Sequence, residues 1–226
     1  MPTRVDLPIL VVAAVPQELS CFRRHANEEV HCLLTGVGQE RAFRAVRNVL
    51  NRRRYRLVIS AGFAGGTQPG LQVGDLVMAS EVVEASSGQR WRPGIPLDSS
   101  ITVGTLLTTR HPLVDPQAKA KAGLRYGAVA VDMETAAVAR VASEAQVPWV
   151  SLRAILDPME VRLSLVSWVQ GLWCLAFPSR WGEFAGFLRA MRLASQSLAN
   201  GLVTVPGTSL YLVPITRRET DGFGQV

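Results

Sequence analysis

The sequence predicts an α/β fold of three layers, α/β/α, around a central mixed, mostly parallel sheet. Three observations lead there. Apolar runs of strand length alternate with stretches of helical periodicity from residue 8 to residue 156, as when strands return through helices. The first run, 8–14, is apolar throughout, as a strand covered on both faces must be. The chain has 226 residues, 48% of them apolar and 19% charged. That is enough to bury a sizeable core within one domain, 1–226, and it sets aside intrinsic disorder.

The elements follow in order. Pro16 suits the first turn of a helix running from there to about His25. Residues 29–35 alternate and read as a strand, Gly36 and Gly38 make a turn, and 39–52 carries Ala42, Val46 and Val49 at helical spacing. Strands are expected at 57–61 and 75–84, joined by a turn containing Gly62, Gly65, Gly66 and Gly70. A loop rich in Ser, Gly and Pro occupies 86–100. Then come a strand at 101–109, a helix at 115–124, a strand at 127–131, a helix at 133–146 and a strand at 148–156. From about 163 to 201 the pattern is two helices broken at Pro178, and 214–226 reads as a frayed polar tail.

The net charge of +6 comes almost entirely from arginine. "RR" at 23–24 and "NRRRYR" at 51–56 read as solvated helix ends, because no nucleic-acid-binding signature accompanies them. Cys21, Cys32 and Cys174 fit no metal or redox spacing and suit a reducing compartment. The apolar run near the N-terminus is short for a signal peptide, and the expected location is the cytoplasm.

In a sheet of this kind ligands sit beyond the carboxyl ends of the strands, and carboxylates gather there. The strand at 127–131 runs into Asp132-Met133-Glu134. Asp132 suits an N-cap, and Glu134 falls where the helix dipole favours an anion. Such a fixed acceptor can take both hydroxyls of a ribose. Asp157 ends the apolar strand "WVSLRAIL" and precedes Pro158. Partial desolvation there raises its pKa and keeps a proton available. Glu18 follows the first strand. Taken singly, each also fits ordinary capping or turn chemistry.

Together, "VVAAVPQEL", "LLTGVGQERA", "VISAGFAGGTQPGLQVGDLVMAS", "VAVDMETAAVA" and "VPWVSLRAILD" resemble the nucleoside phosphorylase/nucleosidase superfamily in order and rough spacing. Within it, the chain looks most like the methylthioadenosine/adenosylhomocysteine nucleosidases. The resemblance spans residues 8 to 157. It implies that Asp157 protonates or hydrogen-bonds purine N7, that Glu134 binds the ribose 2′ and 3′ hydroxyls with Met133 against the sugar and Asp132 beside it, and that Glu18 activates water. It also implies that Phe63, Ala64, Gly65 and Gly66 pass close to base and sugar, and that His111 or Pro112 flanks the adenine. No cofactor and no metal is implied, and a homodimer is.

The chain departs from the pattern it resembles. Leu156 stands where a serine usually precedes the acid, and Asp132 where a glutamate is usual. His111 and Pro112 replace an aromatic–aliphatic pair, and Phe63 replaces a small or hydroxyl residue. Phe63, and the lack of an arginine near Glu18 before Arg23, favour water over phosphate as nucleophile.

The C-terminal third is unusual for a small-substrate nucleosidase. Trp168, Trp173, Phe177, Trp181, Phe184 and Phe187 concentrate there, while Arg162 and Gln170 argue against a transmembrane span. Two core helices, or an apolar lid over 161–201 that touches the membrane surface, are the alternatives. "YGAVAVDMETAAVARVA" and "PSRW" followed by "FLRAM" resemble the hopanoid-associated phosphorylases, or adenosylhopane nucleosidases, whose substrate is adenosine with a large lipid at the 5′ position. The expected activity is release of adenine from a 5′-substituted adenosine, with a lipid-tailed nucleoside, methylthioadenosine or adenosylhomocysteine as substrate. A phosphate-dependent purine nucleoside phosphorylase and a nucleoside-binding protein without turnover are the competing readings, with a nucleic-acid binder further off.

Overall fold

A computed structural model describes residues 7–22, 29–95, 100–162 and 181–205. Its strands are β1 (Ile9–Ala13), β2 (Val30–Leu34), β3 (Leu57–Gly66), β4 (Leu76–Glu84), β5 (Arg90–Trp91), β6 (Thr102–Thr108), β7 (Ala128–Asp132) and β8 (Trp149–Asp157). The helices are α1 (Gln39–Arg52), α2 (Pro116–Tyr126), α3 (Thr135–Glu144) and α4 (Trp181–Thr204).

The sheet is mixed, as the alternation predicts. The pairs β1–β2, β1–β3, β3–β8, β4–β6 and β6–β7 are parallel, and β3–β7, β4–β5 and β4–β8 are antiparallel. Because β8 pairs with both β3 and β4, strands β3, β7, β6, β4 and β8 close a ring, and β1 and β2 extend from it. Closure removes the open edges that such strands would otherwise expose.

Alternation along the strands sorts the core into layers. Leu10, Val12 and Val58 face α1 and α3, where they meet Ala42, Val46 and Val138. Ile9, Val11, Ile59, Phe63, Leu152 and Leu156 point the other way, against Ala194, Leu198 and Leu202 of α4. A smaller apolar cluster joins Leu107 and Val131 to the α2 side. The arginine-rich end of α1 lies in solvent, with Arg52, Arg53 and Arg54 all exposed.

Three local expectations change. The helix expected from Pro16 is a 3-10 turn over Pro16–Leu19. Its Glu18 carboxylate folds back and accepts from the N–H groups of Ala14 (2.7 Å) and Val15 (3.0 Å), so it satisfies donors at the turn's own start. The strand expected to stop at residue 61 continues to Gly66, with all ten residues buried. Gly62, Gly65 and Gly66 are therefore strand, and Gly70 alone lies in the turn, with φ of 92°. The neighbouring β8 supplies a ladder along this stretch, with Ala61 opposite Leu152 and Ala64 opposite Ile155, and a bulge between Ala64 and Gly65 puts Gly65 opposite Asp157. The short strand β5 also lies within the loop expected at 86–100.

Among the described residues, no helix is long and apolar enough to cross a membrane. The break expected at Pro178, the first of the two C-terminal helices and the tail 214–226 lie outside the described residues.

Candidate active site

The strand ends converge on a cavity of about 300 Å³. Glu18 arrives from the turn after β1, Phe63, Ala64 and Gly65 from β3, Asp132, Met133 and Glu134 from the end of β7, and Leu156 and Asp157 from the end of β8. Thr109, Pro112 and Leu113, from the segment after β6, form another wall, and Ala14, Val37 and Val131 complete it.

Glu18 is held in one orientation. Besides Ala14 and Val15, the backbone N–H of Phe63 donates to its Oε1 at 2.9 Å. Burial raises its pKa above the ordinary carboxylate value, and the Arg153 guanidinium and these N–H donors work against that. Glu134 accepts from the Gly38 N–H at 2.7 Å. Its pKa is pushed up to about 7, first by burial and then by the neighbouring Asp132 charge. Asp157 is also raised by burial, with Lys119 opposing the shift.

Asp132 is engaged within the protein. It accepts from the Thr108 hydroxyl (2.7 Å), the Thr135 N–H (2.9 Å) and the Thr135 hydroxyl, and it pairs with Arg153 at 2.7 Å. The N-cap expected at Asp132 falls instead on Glu134, because α3 starts at Thr135, and Asp132 reaches the first helical N–H from two residues before the cap. Its oxygens are nevertheless spent on protein partners, although the residue lines the cavity.

Other residues do not join the site. His111 is exposed and does not line the cavity, since the backbone turns there and its carbonyl accepts from the Thr109 hydroxyl (2.8 Å). Gly66, beyond the bulge, pairs with Ala130 and faces the backbone of Pro158 and Met159 instead of the cavity.

Two cations escaped the sequence reading. Arg153 is buried in mid-strand, where Nη2 donates to Ser60 Oγ (2.9 Å) and to Thr135 Oγ1 (2.5 Å) as well as pairing with Asp132. It qualifies the expectation that no arginine stands near Glu18, because this one comes from β8 and not from the local sequence. A charged residue inside an otherwise apolar strand was the signal available. Lys119 of α2 is fully buried, and its Nζ lies 2.5 Å from Asp157 Oδ2. Helical periodicity gave no hint of it.

Gly62 explains one of the glycines. A Cβ there would lie 2.1 Å from Arg153 Nη1 and 2.6 Å from Glu18 Oε1. The bare backbone makes room for the site's own charged side chains.

The sequence model of the phosphorylase superfamily matches residues 16–93 and 92–170. The chain belongs to the phosphorylase superfamily. Among its relatives in that superfamily is the 5′-methylthioadenosine/S-adenosylhomocysteine nucleosidase of Bacillus thuringiensis (strain Al Hakam). It is 29% identical over 160 residues, which cover 58% of this chain and 69% of the relative. Solved structures share the fold. The 5′-methylthioadenosine/S-adenosylhomocysteine nucleosidase of Neisseria meningitidis, crystallised with methylthio-immucillin-A, superposes with a TM-score of 0.69 at 18% identity, over 90% of this chain and 99% of that one. The futalosine hydrolase of Helicobacter pylori strain 26695 superposes with a TM-score of 0.65 at 14% identity, over 90% and 100% of the two chains. In this phosphorylase-superfamily chain, the region matched by the superfamily model contains every charged group that lines the cavity. Among the described residues, no cluster of His, Cys, Asp and Glu could hold a metal ion.

Proposed function

We propose that the protein is a nucleosidase that hydrolyses the N-glycosidic bond of a 5′-substituted adenosine and releases adenine. One observation carries this reading: Glu18, Glu134 and Asp157 reach a single, mostly apolar-walled cavity from three separate elements, all of them buried. The nucleosidase names of its relatives support it.

The chemistry assigns a task to each group. As the C1′–N9 bond breaks, positive charge builds on the ribose and negative charge on the base. Asp157, whose raised pKa keeps it protonated further up the pH scale, gives its proton to N7 and makes the base a better leaving group. Glu18, fixed by three backbone N–H groups, accepts a proton from water as the oxygen attacks C1′. Glu134 takes the 2′ and 3′ hydroxyls, which sets the sugar in line, with Met133 against it. Phe63, Ala64 and Gly65 lie along the base and sugar, and Pro112 flanks the adenine. The products are adenine and the free sugar.

Water is the nucleophile in this reading because of the site's charge. Four carboxylates, Glu18, Asp132, Glu134 and Asp157, face two cations, Arg153 and Lys119. Arg153 is the observation that favours phosphate, but Asp132, Ser60 and Thr135 already occupy it. Phosphate would enter a cavity whose carboxyl groups outnumber the cations among the described residues, and Arg153 Nε and Nη2 already donate to protein partners.

The test is adenine release from methylthioadenosine, adenosylhomocysteine and adenosylhopane, with and without phosphate. Release that requires phosphate makes the protein a phosphorylase. Tight nucleoside binding with no release, and no change on Asp157→Asn, makes it a binding protein. Preference for the lipid-tailed substrate, and sedimentation with hopanoid-containing vesicles, would support an apolar lid and peripheral membrane contact. A homodimer is also proposed, by likeness to the nucleosidases, and analytical ultracentrifugation reads it directly.

A further inference from the structure

Of the chain's 24 basic residues only two are lysines, Lys119 and Lys121. Lys119 is one of the largest side chains fully closed to solvent. An ammonium carries three donors and is strongly hydrated, so burying one calls for three good acceptors. Lys119 finds them: Asp157 Oδ2 at 2.5 Å, the Pro158 carbonyl at 2.9 Å and the Val161 carbonyl at 2.8 Å. Leu156, the residue before Asp157, has no side-chain donor to offer the carboxylate.

The fold holds Lys119 at this distance. Lys119 and Gly123, one helical turn apart, are the buried residues of α2. A Cβ on Gly123 would stand 2.3 Å from the Thr67 carbonyl oxygen, so the helix backbone lies directly on the chain beyond β3. Thr67 is itself tied to β7 through its N–H to Val129 and its hydroxyl to Ala128. At the start of α2, Asp115 pairs with Arg162 at 2.8 Å and binds the far side of the same turn.

The geometry points to Lys119 as the positioning residue of the acid: it grips Asp157 Oδ2, leaves Oδ1 to deliver the proton, and stabilises the carboxylate that remains. The proton passes from Oδ1 to N7 of the base as the glycosidic electron pair moves onto the base. This role rests on the reading of Asp157 as the acid.

The experiment compares Lys119→Met and Lys119→Arg with the unaltered protein. Glu18 and Glu134 across the cavity, the Asp132–Arg153 pair behind them and the Asp115–Arg162 pair at the start of α2 are unchanged in both. Without the cation, Asp157 binds its proton more tightly. The alkaline limb of kcat/KM should therefore move up by about 1 to 3 pH units, the usual effect of an opposite charge. With a weaker acid, kcat at neutral pH should fall roughly ten- to hundredfold with little change in KM. Lys119→Arg should keep the limb in place. Carboxyl carbon-13 NMR titration of Asp157 in the ligand-free protein reads the same shift without turnover. If Lys119→Met does not fold, Lys119→Gln, which loses the charge but keeps a donor, takes its place. In an Asp157→Asn background, Lys119→Met should lower kcat/KM no further.

A limb and an Asp157 titration that stay in place in the charge-removed variant overturn the proposal and leave Lys119 a clamp on the turn. An Asp157→Asn protein with full activity overturns the acid itself, and Lys119's role with it. Inactive Asp157→Asn beside an unshifted Lys119→Met overturns the role of Lys119 alone.

Discussion

Arg153 Nη2 lies 2.7 Å from Asp132 Oδ2, and the two side chains are 2% and 1% exposed. This pair ties β8 to the end of β7 beneath the cavity, and it places positive charge among three carboxylates, Glu18, Asp132 and Glu134. Removing one partner of a buried pair leaves the other uncompensated. Arg153→Leu is expected to destabilise the protein by about 3–5 kcal/mol, read by urea denaturation. An unchanged midpoint would mean that the pair adds nothing to the fold.

Gly62→Ala places a methyl group on the contact between Arg153 and Glu18. Overpacking of this kind typically costs about 1–3 kcal/mol. The displaced groups include the proposed base, so adenine release should fall as well as the melting temperature. A variant that melts lower yet turns over normally would separate Glu18 from the chemistry.

Glu134 should make the protein less stable as pH rises. Its folded pKa, about 7, lies above the ordinary carboxylate value of 4.5. The folded state therefore holds this proton better than the unfolded chain does. That stabilisation is complete below pH 4.5 and is lost as pH rises to about 7. The difference is worth about 3 kcal/mol. Melting temperatures at pH 5 and pH 8 should differ less in Glu134→Gln than in the parent, and an equal difference in both would refute the assignment. Glu18 and Asp157 shift in the same direction, so part of the slope should survive.

Asp157→Asn and Glu18→Gln should each slow adenine release by about 10²–10⁴-fold, the usual range for a lost general acid or base. Affinity for adenine should survive Glu18→Gln better than Asp157→Asn, since Glu18 is assigned to water and Asp157 to the base. Isothermal titration with adenine distinguishes the two, and the reverse order would exchange or remove their roles.

Much of this was legible in the sequence. Strand and helix periodicity located β1, β2, α1, β4, β6, α2, β7, α3 and β8 to within a few residues, because burial on both faces or along one stripe leaves a local pattern. Glu18, Glu134 and Asp157 stood out because each follows a strand, where such sheets open to ligands. Glycine, however, reads as turn chemistry in any local analysis. That is why β3 appeared to stop at residue 61 and not at Gly66.

By itself, then, the sequence determined the layered fold and the carboxylates at its strand ends, since both follow from local periodicity and chain order. Tertiary structure alone decided the rest. It closed the strands into a ring through β8. It turned His111 out of the cavity and left Pro112 in its wall. It also brought Arg153 to Asp132 and Lys119 to Asp157, pairs separated by 21 and 38 positions in the chain. A buried charge is tolerable only beside its counter-charge, and which counter-charge it meets depends on packing across the sheet.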